Sequence, residues 1–385
     1  MPVTIASVEQ LLKHKYADTV ADQVGFKVSE LHEKIKSHSK SAGGKEFIQP
    51  IKMSLNGGVA FSNETDLPGS ATAYLDSFKV TTKNIFGVLT ISLKALRANN
   101  TPEKIVNLLN NEMDDLVRSV KFHKARAMEG CESGALTTVA AAVSTASNVI
   151  TVDDTRLLED GMVISIYTGT AKNTDARIKS IDHSTKKLTL DTAVTAAKGD
   201  VITNVNSLGQ EYTGLGDIFA TTGKIYGINK ADYPRLVAYQ KTNAGAISDM
   251  LLLEAIENCE KKCGTTIDFI NCSYDAISKY VDYKQKNSVN VATIDIEGGY
   301  KSLSFNGLIP MVKSRFAPAG TMDLLDTSTF QMLNLGKAGF VQETGKILEA
   351  VPGKAEYVGT FADFSELYCS VPGGQGRISG LTAIS

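Results

Sequence analysis

The sequence feature that most restricts the fold is a long β-forming stretch that is too polar to build a core of its own. Between residues 43 and 98, apolar and polar residues alternate most clearly in KVTTKNIFGVLTISL, residues 79–93. The part before it is interrupted by Gly57, Gly58, Pro68 and Gly69. A two-stranded arm of this length is rarely stable by itself in water. The stretch therefore predicts an extended β-loop that needs the surface of a partner.

The N-terminal arm has the same need. Its apolar residues recur at helical spacing in two short pieces, which are Val8, Leu11 and Leu12, and then Val24, Val28, Leu31 and Ile35. A short amphipathic helix cannot bury its apolar stripe on itself. We expect this arm to lie on the body of the protein or on a neighbouring subunit.

A long helix is predicted between Thr101 and Gly130. Thr101 suits the N-cap, Pro102 suits the first helical position, and Gly130 is the expected stop. One apolar stripe runs along it, formed by Ile105, Leu109, Met113, Leu116, Val117 and Val120. About thirty residues at roughly 1.5 Å each give a strut of about 40 Å.

Residues 136–206 predict a separate, inserted all-β domain. Five short strands follow one another at roughly ten-residue spacing: NVITVDD, GMVISIYTG, ARIKSIDHS, KKLTLDTAV and GDVITNV. Turns are expected at 160–161, 183–184 and 198–200. The pattern is typical of a small barrel or sandwich.

The remainder is mixed α and β. ISDMLLLEAIENCEKKCG predicts a helix with Ser248 as N-cap and Gly264 as C-terminal stop. TIDFINCS predicts a strand, YDAISKYVDYKQKN a second helix, and the sequence from Tyr300 onward further strands.

Composition and charge exclude several classes of function. With 43% hydrophobic and 21% charged residues the chain is typical of a soluble globular protein, and no apolar run reaches the about 18 residues of a membrane-spanning helix. The formal charge of −2 gives no global positive field for nucleic acid. The N-terminus has no secretory signal pattern, so we expect synthesis in a cytoplasm and reduced thiols at all five cysteines.

A glycine-rich segment, GLGDIFATTGKIYGINKADYP at 214–234, is the candidate nucleotide site. Gly214 and Gly216 begin a dinucleotide fingerprint, but Phe219 occupies its third glycine position. No G-K-[ST] motif occurs in the chain, and all five histidines precede residue 184. We therefore predict a hinge segment in which the glycines at 214, 216, 223 and 227 permit turns and close strand packing.

Other chemistry-bearing residues favour structural interpretations. Cys259, Cys263 and Cys272 lack the fourth ligand and the knuckle spacing that structural zinc prefers, so buried thiols are favoured. The pairs Asp114 and Asp115, and Asp153 and Asp154, suit solvated or capping positions. The tyrosines at 274, 280 and 283 suit amphipathic packing. The sequence thus predicts no catalytic residue, no cofactor, no metal site and no enzyme.

The order of these parts resembles the major capsid proteins of tailed bacteriophages, whose α+β fold is of the Hong Kong 97 type. The glycine-rich segment is similar to the start of their central domain, and FNGLIPMVKSRFAPAGTMDLLD to the turn and strand that follow it. EYVGTFADFSELYCSVPGGQGRISGL resembles their closing strands. The resemblance covers the chain except for the inserted all-β domain.

The resemblance implies a division of the chain into seven parts. They are an N-terminal arm at 1–40, an extended β-loop at 41–98, the spine helix of a peripheral domain at 99–135, the inserted all-β domain at 136–206, an axial (central) domain at 207–326, returning peripheral strands at 327–370, and a C-terminal segment back to the axial domain at 371–385.

The function implied is that of a major capsid protein, which self-assembles into hexamers and pentamers of an icosahedral virion shell, in the host cytoplasm, around phage DNA. The implied partners are other copies of the chain, a scaffolding protein (separate, or a removed N-terminal segment), a portal, a maturation protease, a decoration protein and weakly bound double-stranded DNA, with no membrane. Some relatives join loop lysines covalently to neighbours; Lys45, Lys52, Lys79 and Lys83 lie in the loop, but the sequence places no matching asparagine and acid. Two alternatives stay open: an encapsulin-like compartment shell, and a nucleotide-binding enzyme using Gly214–Gly227.

Overall fold

The computed structural model describes residues 30–36, 38–62, 68–93, 108–287, 293–296, 300–341 and 348–383. Within these ranges the helices are α1 (Glu30–Lys36), α2 (Leu108–Glu129), α3 (Leu215–Phe219), α4 (Asp249–Cys263) and α5 (Tyr274–Lys286). The strands of the first half are β1 (Ser39–Ser41), β2 (Phe47–Lys52), β3 (Leu75–Val80), β4 (Lys83–Ser92), β5 (Ala135–Thr138), β6 (Val143–Thr151), β7 (Val163–Thr168), β8 (Ala171–Asp182), β9 (Lys187–Ala196) and β10 (Val201–Asn204).

The second half adds short strands and the sheet-forming C-terminal region. Its strands are β11 (Lys224–Ile225), β12 (Ile228–Asn229), β13 (Tyr239–Lys241), β14 (Gly245–Ala246), β15 (Phe269–Cys272), β16 (Thr293–Ile296), β17 (Tyr300–Phe305), β18 (Ile309–Lys313), β19 (Met322–Leu325), β20 (Phe330–Asn334), β21 (Gly339–Phe340), β22 (Leu348–Ala350), β23 (Glu356–Cys369), β24 (Gly376–Ile378) and β25 (Leu381–Thr382).

The chain divides into two compact units. The smaller unit takes its described residues from 86–122 and 338–362, and the larger from 28–85, 123–337 and 363–385. In the smaller unit β21 and β22 pair antiparallel with residues 356–362 of β23. Gly87 faces α2 closely, because a Cβ there would lie 2.9 Å from Leu116 Cδ1. A glycine at this point lets strand and helix approach each other.

In the larger unit, α1 lies on a shared apolar core. Leu31 and Ile35 are 1% and 0% exposed and pack in the same cluster as Phe330 and Leu333 of β20. The predicted burial of the arm's apolar stripe is confirmed for these two residues. The remaining stripe residues, from Val8 to Val28, lie outside the described residues.

The described part of the predicted β-loop contains an antiparallel pair, β2 and β3, with Phe47 opposite Val80 and Lys52 opposite Leu75. We call β2, β3 and the residues joining them, 47–80, the ribbon hairpin. Its described residues form no separate core, but Phe78 and Val80 are buried in the shared core of the larger unit. A break at residues 81–82 separates β3 from β4, so the alternating stretch 79–93 is two strands rather than one.

Residues 135–204 form a six-stranded antiparallel sheet in the order β5-β10-β7-β8-β9-β6. The two ends of the sheet meet through a bridge between Val139 and Val152, which makes the arrangement a small barrel. Its interior is apolar, with Ile150, Ile164, Ile166, Leu188, Leu190 and Ile202 almost fully buried. All five predicted strands are present; β5 is an additional one.

Side chains from this barrel bind the rest of the larger unit. Arg156 Nη1 donates to the carbonyl oxygen of Phe316 at 2.7 Å, and Arg315 forms an ion pair with Glu159. Asn204 Nδ2 lies 3.2 Å from His123 Nδ1 on α2. The barrel is therefore held on the unit by polar contacts at several points.

A seven-stranded mixed sheet, β13-β24-β19-β15-β18-β17-β16, organises the rest of the larger unit. The β15–β18 and β13–β24 pairs are parallel and the others antiparallel. Helices α4 and α5 share one core cluster with this sheet, which includes Leu252, Cys259, Ile270, Tyr280 and Met322.

The helix termini follow the predictions where they are described. Ser248 Oγ accepts a hydrogen bond from Leu251 N–H at 3.2 Å, and Gly264 ends α4 at φ +68° with its N–H bonded to Glu260 O. Gly130 follows the last residue of α2, with its N–H bonded to Arg126 O. The predicted α2 start, Thr101 and Pro102, lies outside the described residues, and the predicted division into seven parts stays a prediction.

Candidate assembly surfaces and the glycine-rich segment

The glycine-rich segment 214–234 folds as α3 followed by the tight hairpin of β11 and β12. The hairpin turns at Tyr226 and Gly227, both with positive φ, +47° and +88°. Two positive φ values in a two-residue loop are the signature of a type I′ turn, which glycine favours at its second position.

Gly214 and Gly216 lie against the end of α2. A Cβ on Gly214 would lie 2.5 Å from the carbonyl oxygens of both Ala127 and Gly130, and one on Gly216 would lie 2.7 Å from Gly130 O. Gly216 N–H itself donates to Gly130 O at 2.7 Å. A phosphate placed here would meet carbonyl oxygens, which are hydrogen-bond acceptors and repel it. The close approach is made to a helix end, whereas the sequence predicted close strand packing.

Lys230 holds the other end of α3. Its side chain is buried, and Nζ donates to the carbonyl oxygens of Asp217 (2.7 Å), Ile218 (2.9 Å) and Ala220. Burial lowers the pKa of Lys230 to about 8. The lysine thus satisfies C-terminal carbonyl groups that the short helix leaves unpaired.

Tyr226 anchors the hairpin turn. Its ring packs edge-on against Phe78 at 5.3 Å between centroids, and its hydroxyl donates to Leu367 O at 3.1 Å while accepting from Cys369 N–H at 3.0 Å. The segment is consequently fixed to α2, to β23 and to the base of the ribbon hairpin. The predicted role of the segment as a hinge stays a prediction.

The other candidates have structural surroundings. Cys259 on α4 and Cys272 on β15 are fully buried in the core cluster that the helices share with the seven-stranded sheet, and burial raises the pKa of the Cys259 thiol to about 12. The interpretation of these two as apolar core thiols is confirmed. Cys263 is partly exposed.

The predicted packing role is confirmed for Tyr280. It is 1% exposed and donates its hydroxyl to Asp249 Oδ1 at 3.0 Å. Tyr274 is 55% exposed instead, with Lys313 Nζ 6.0 Å from its ring centroid. The acidic residues at 114, 115, 153 and 154 are all exposed, as expected for solvated or capping carboxylates.

Glu366 on β23 is a buried acid that the sequence did not indicate. Its side chain is 1% exposed, and Oε1 accepts hydrogen bonds from Thr213 N–H (2.8 Å) and Leu367 N–H (3.0 Å). Oε2 has no hydrogen-bond partner within the described part of the chain. Burial raises the pKa of Glu366 to about 8. In ADFSELYC the flanking apolar residues are the one hint of burial, and they do not identify the acid.

The ribbon hairpin carries strongly exposed apolar side chains. Leu55 and Val59 are each 84% exposed and Phe61 is 110% exposed, as far as any side chain can be. Tyr74 and Leu75 on the returning strand are 56% and 67% exposed. A cluster of large, exposed apolar side chains on one hairpin is typical of a surface that another protein covers.

A groove lies beside the base of the ribbon hairpin. It has a volume of about 360 Å³ and runs between residues 51–55 on one side and 235–236 and 370–373 on the other. Its apolar lining consists of Ile51, Met53, Leu55, Phe78, Leu236, Val371 and Pro372. Cys263 also lines it.

In the smaller unit, β4 presents apolar residues to both sides. Leu89 and Ile91 are buried on one face, while Phe86 and Val88 on the other are 58% and 62% exposed. A strand with one polar face would suffice for an isolated domain. The second apolar face is a further candidate contact surface.

Comparison with known proteins identifies the fold. No family model matches the chain, and no curated protein matches it. Solved structures do match: the capsid asymmetric unit of cyanophage A-1(L) (13% identity, TM-score 0.62, 99% of this chain and 100% of that chain), the capsid of a native GTA particle (8%, 0.55, 99% and 99%), and the SrpI encapsulin complex of Synechococcus elongatus PCC 7942 (9%, 0.53, 100% and 99%).

The chain thus has the α+β fold of shell-forming proteins over its full length. This fold is the Hong Kong 97 type predicted from the order of its parts. Within the described ranges, no helix is both long enough and apolar enough to cross a membrane.

Proposed function

We propose that this chain is the major capsid protein of a tailed bacteriophage, which self-assembles into the hexamers and pentamers of an icosahedral shell around double-stranded DNA. The observation that carries the proposal is the full-length fold match to the cyanophage A-1(L) capsid, at a TM-score of 0.62. The exposed apolar side chains of the ribbon hairpin and of β4 support it, because a shell subunit must bury such surfaces against its neighbours.

The mechanism is binding rather than catalysis. Many moderate apolar contacts per subunit, repeated by symmetry, supply the assembly free energy. The proposal assigns no catalytic, cofactor or metal-binding residue. The packing of Gly214 and Gly216 on carbonyl oxygens supports a structural role for that segment.

The finer parts of the proposal come from the resemblance to the capsid family. The axial domain, residues 207–326, surrounds the capsomer axis, and residues 41–98 lie on a neighbouring subunit. A scaffolding protein, a portal, a maturation protease and a decoration protein act during or after assembly in the host cytoplasm. DNA is held weakly and without sequence specificity, as the formal charge of −2 suggests.

Electron microscopy of the purified protein, alone and with its scaffolding protein, tests this function. We expect rings, sheets or closed shells. A protein that stays monomeric under every condition, including high concentration and the presence of the scaffold, contradicts the proposal.

A compartment shell is the second candidate, because the encapsulin complex matches 100% of this chain. The two kinds of shell differ in the molecules that they enclose. Particles from infected cells are expected to contain nuclease-protected DNA, whereas a compartment shell contains a specific folded cargo protein. Mass spectrometry and absorbance spectra of purified particles separate them.

A further inference from the structure

The ribbon hairpin contains an exposed Asn-Gly pair, Asn56 and Gly57, just beyond its paired strands. The last backbone bond of the paired part runs from Met53 N–H to Tyr74 O at 2.9 Å. Among the described residues, the Gly57 N–H donates no hydrogen bond. Because glycine has no side chain, nothing attached to Gly57 hinders its backbone nitrogen from approaching the side-chain amide of Asn56.

The next residue, Gly58, polarises that amide. Its N–H donates to Asn56 Oδ1 at 2.8 Å, and this bond folds the asparagine side chain back over the Gly57 peptide. An N–H at a carbonyl oxygen stabilises the negative charge that develops there when the carbon is attacked. Gly58 is held in turn by the returning chain, since a Cβ on it would lie 3.1 Å from Ala71 N and 3.3 Å from Gly69 O. The folded hairpin therefore places both the attacking nitrogen and the polarising N–H at Asn56.

We propose that Asn56 is a site of spontaneous deamidation in the folded subunit. Gly57 N forms a bond to Asn56 Cγ, its proton passes through water to Nδ2, and the Cγ–Nδ2 bond breaks. Ammonia leaves, and a five-membered succinimide ring remains. Water then opens the ring at one of its two carbonyl carbons, which gives aspartate or isoaspartate at position 56. The net reaction consumes water, releases ammonia and adds a negative charge to the hairpin.

A second exposed Asn-Gly pair, Asn306 and Gly307, is an internal control. It lies in the turn between β17 and β18, with φ values of +50° and +71°, and Leu308 N–H closes the turn on Phe305 O at 3.1 Å. Closing the succinimide ring requires rotation of the peptide that joins asparagine to glycine, and the paired strands on both sides of this turn resist that rotation. Asn306 should therefore react slowly in the folded subunit, although its sequence is equally reactive.

Peptide mapping by mass spectrometry measures both conversions in one sample. The free subunit is incubated at mildly alkaline pH, once folded and once in guanidinium chloride. In the folded subunit we expect Asn56 to convert at least about tenfold faster than Asn306, a difference of about 1.4 kcal/mol in activation free energy. In denaturant the two rates should be similar. Equal rates in the folded subunit, or faster conversion of Asn306, overturn the proposal. The measurement needs no assembly, so its result is independent of the proposed shell function.

Gly57→Ala tests the attacking group. A Cβ at this position meets only Ala71 Cβ, at 3.4 Å, so the melting temperature should be unchanged. The added methyl group hinders attack by the backbone nitrogen and should slow conversion of Asn56 about tenfold. Gly69→Ala is the matched control, because a Cβ there has no atom within 4 Å, and it should leave the rate unchanged. An unaltered rate in Gly57→Ala overturns the role of Gly57 N and with it the proposal.

The consequence for assembly rests on the proposed shell function. In sequence, position 56 lies between Leu55 and Val59, each 84% exposed on the hairpin. A carboxylate on a surface that assembly buries must lose its water, so Asn56→Asp should raise the protein concentration needed for assembly about tenfold. Asn306→Asp should leave that concentration unchanged. An unaltered concentration with Asn56→Asp overturns this consequence, whereas peptide mapping alone decides the deamidation.

Discussion

At the scale of single residues, the glycine-rich segment is explained by how closely the backbone of Gly214 approaches the end of α2. The same glycines that suggest a phosphate loop are required because carbonyl oxygens of Ala127 and Gly130 occupy the space of a side chain. Gly214 and Gly216 alone cannot separate these causes, since both produce glycine at the same positions. The informative signal in the sequence is Phe219, which stands where the fingerprint requires a third glycine.

Gly214→Ala is expected to lower the free energy of unfolding by about 3 kcal/mol, because the added Cβ meets backbone atoms that cannot move aside cheaply. Gly336→Ala is the matched control, since a Cβ there has no atom within 4 Å, and should change stability by no more than about 0.5 kcal/mol. Urea unfolding of the free subunit measures both. Equal stability of the two variants would show that the close approach at Gly214 is not tight.

Glu366 makes stability depend on pH. Its pKa of about 8 in the folded subunit lies above the ordinary value of 4.5, so the folded subunit retains a proton that the unfolded chain releases. The stabilisation is therefore complete below pH 4.5 and is lost as the pH rises to about 8, at roughly 1.4 kcal/mol per pKa unit.

Glu366→Gln removes this titration while keeping an oxygen for the N–H groups of Thr213 and Leu367. We expect the variant to gain stability relative to the unsubstituted protein between pH 5 and pH 8, measured as melting temperatures across that range. Glu254→Gln, on the exposed face of α4, should leave the pH profile unchanged. A Glu366→Gln profile that parallels the unsubstituted one contradicts the assignment.

At the scale of elements, the sequence predicted those whose signals are local. Helix α4 has a cap at each end, Ser248 and Gly264, and the barrel strands are separated by turn residues, so their existence and positions follow from nearby sequence. No glycine or proline marks the break at residues 81–82, and strand β5 has only four residues, although Gly134 precedes it. Both depend on tertiary contacts. The candidate groove could not be predicted from local sequence either, because the residues that line it are far apart in the chain.

The ribbon hairpin can be shortened without disturbing the subunit. Met53 N–H donates to Tyr74 O at 2.9 Å and Tyr74 N–H to Ser54 Oγ at 2.8 Å, so the paired part of the hairpin ends there. Replacing residues 55–72 with Asn-Gly, a preferred two-residue hairpin turn, should leave the melting temperature of the free subunit nearly unchanged, since the described residues removed are exposed or half-exposed.

The same replacement should abolish closed shells in electron micrographs, because it removes the apolar side chains that we assign to contacts between subunits. Replacing the exposed turn residue Leu308 with Ser tests whether loss of any exposed apolar side chain has this effect, and should permit assembly. Loss of the cooperative unfolding transition in the shortened protein would show that the hairpin belongs to the subunit's own core.

At the scale of the whole molecule, a formal charge of −2 over 385 residues gives little net repulsion between copies, and we expect apolar contacts to supply most of the assembly free energy. Ammonium sulfate should therefore lower the concentration needed for assembly more than sodium chloride does at equal ionic strength, because sulfate strengthens apolar burial whereas both salts screen charge. Light scattering across a concentration series measures this. Equal effects of the two salts would indicate that screening of charge repulsion dominates.

The antiparallel pairing of β5 with β10 in the barrel has a practical consequence for protein engineering. Ala135, where the chain enters the barrel, is paired with Thr203, where it leaves, so both connections lie side by side on adjacent antiparallel strands. A segment with adjacent ends can be exchanged for another module whose termini are adjacent, provided that the rest of the unit tolerates loss of the barrel's polar contacts to His123, Arg315 and Phe316. Its turn at Ser184 and Thr185, exposed and held by Asp182, would accept an added peptide. In a closed particle, one genetic graft at that turn would become a dense multivalent array.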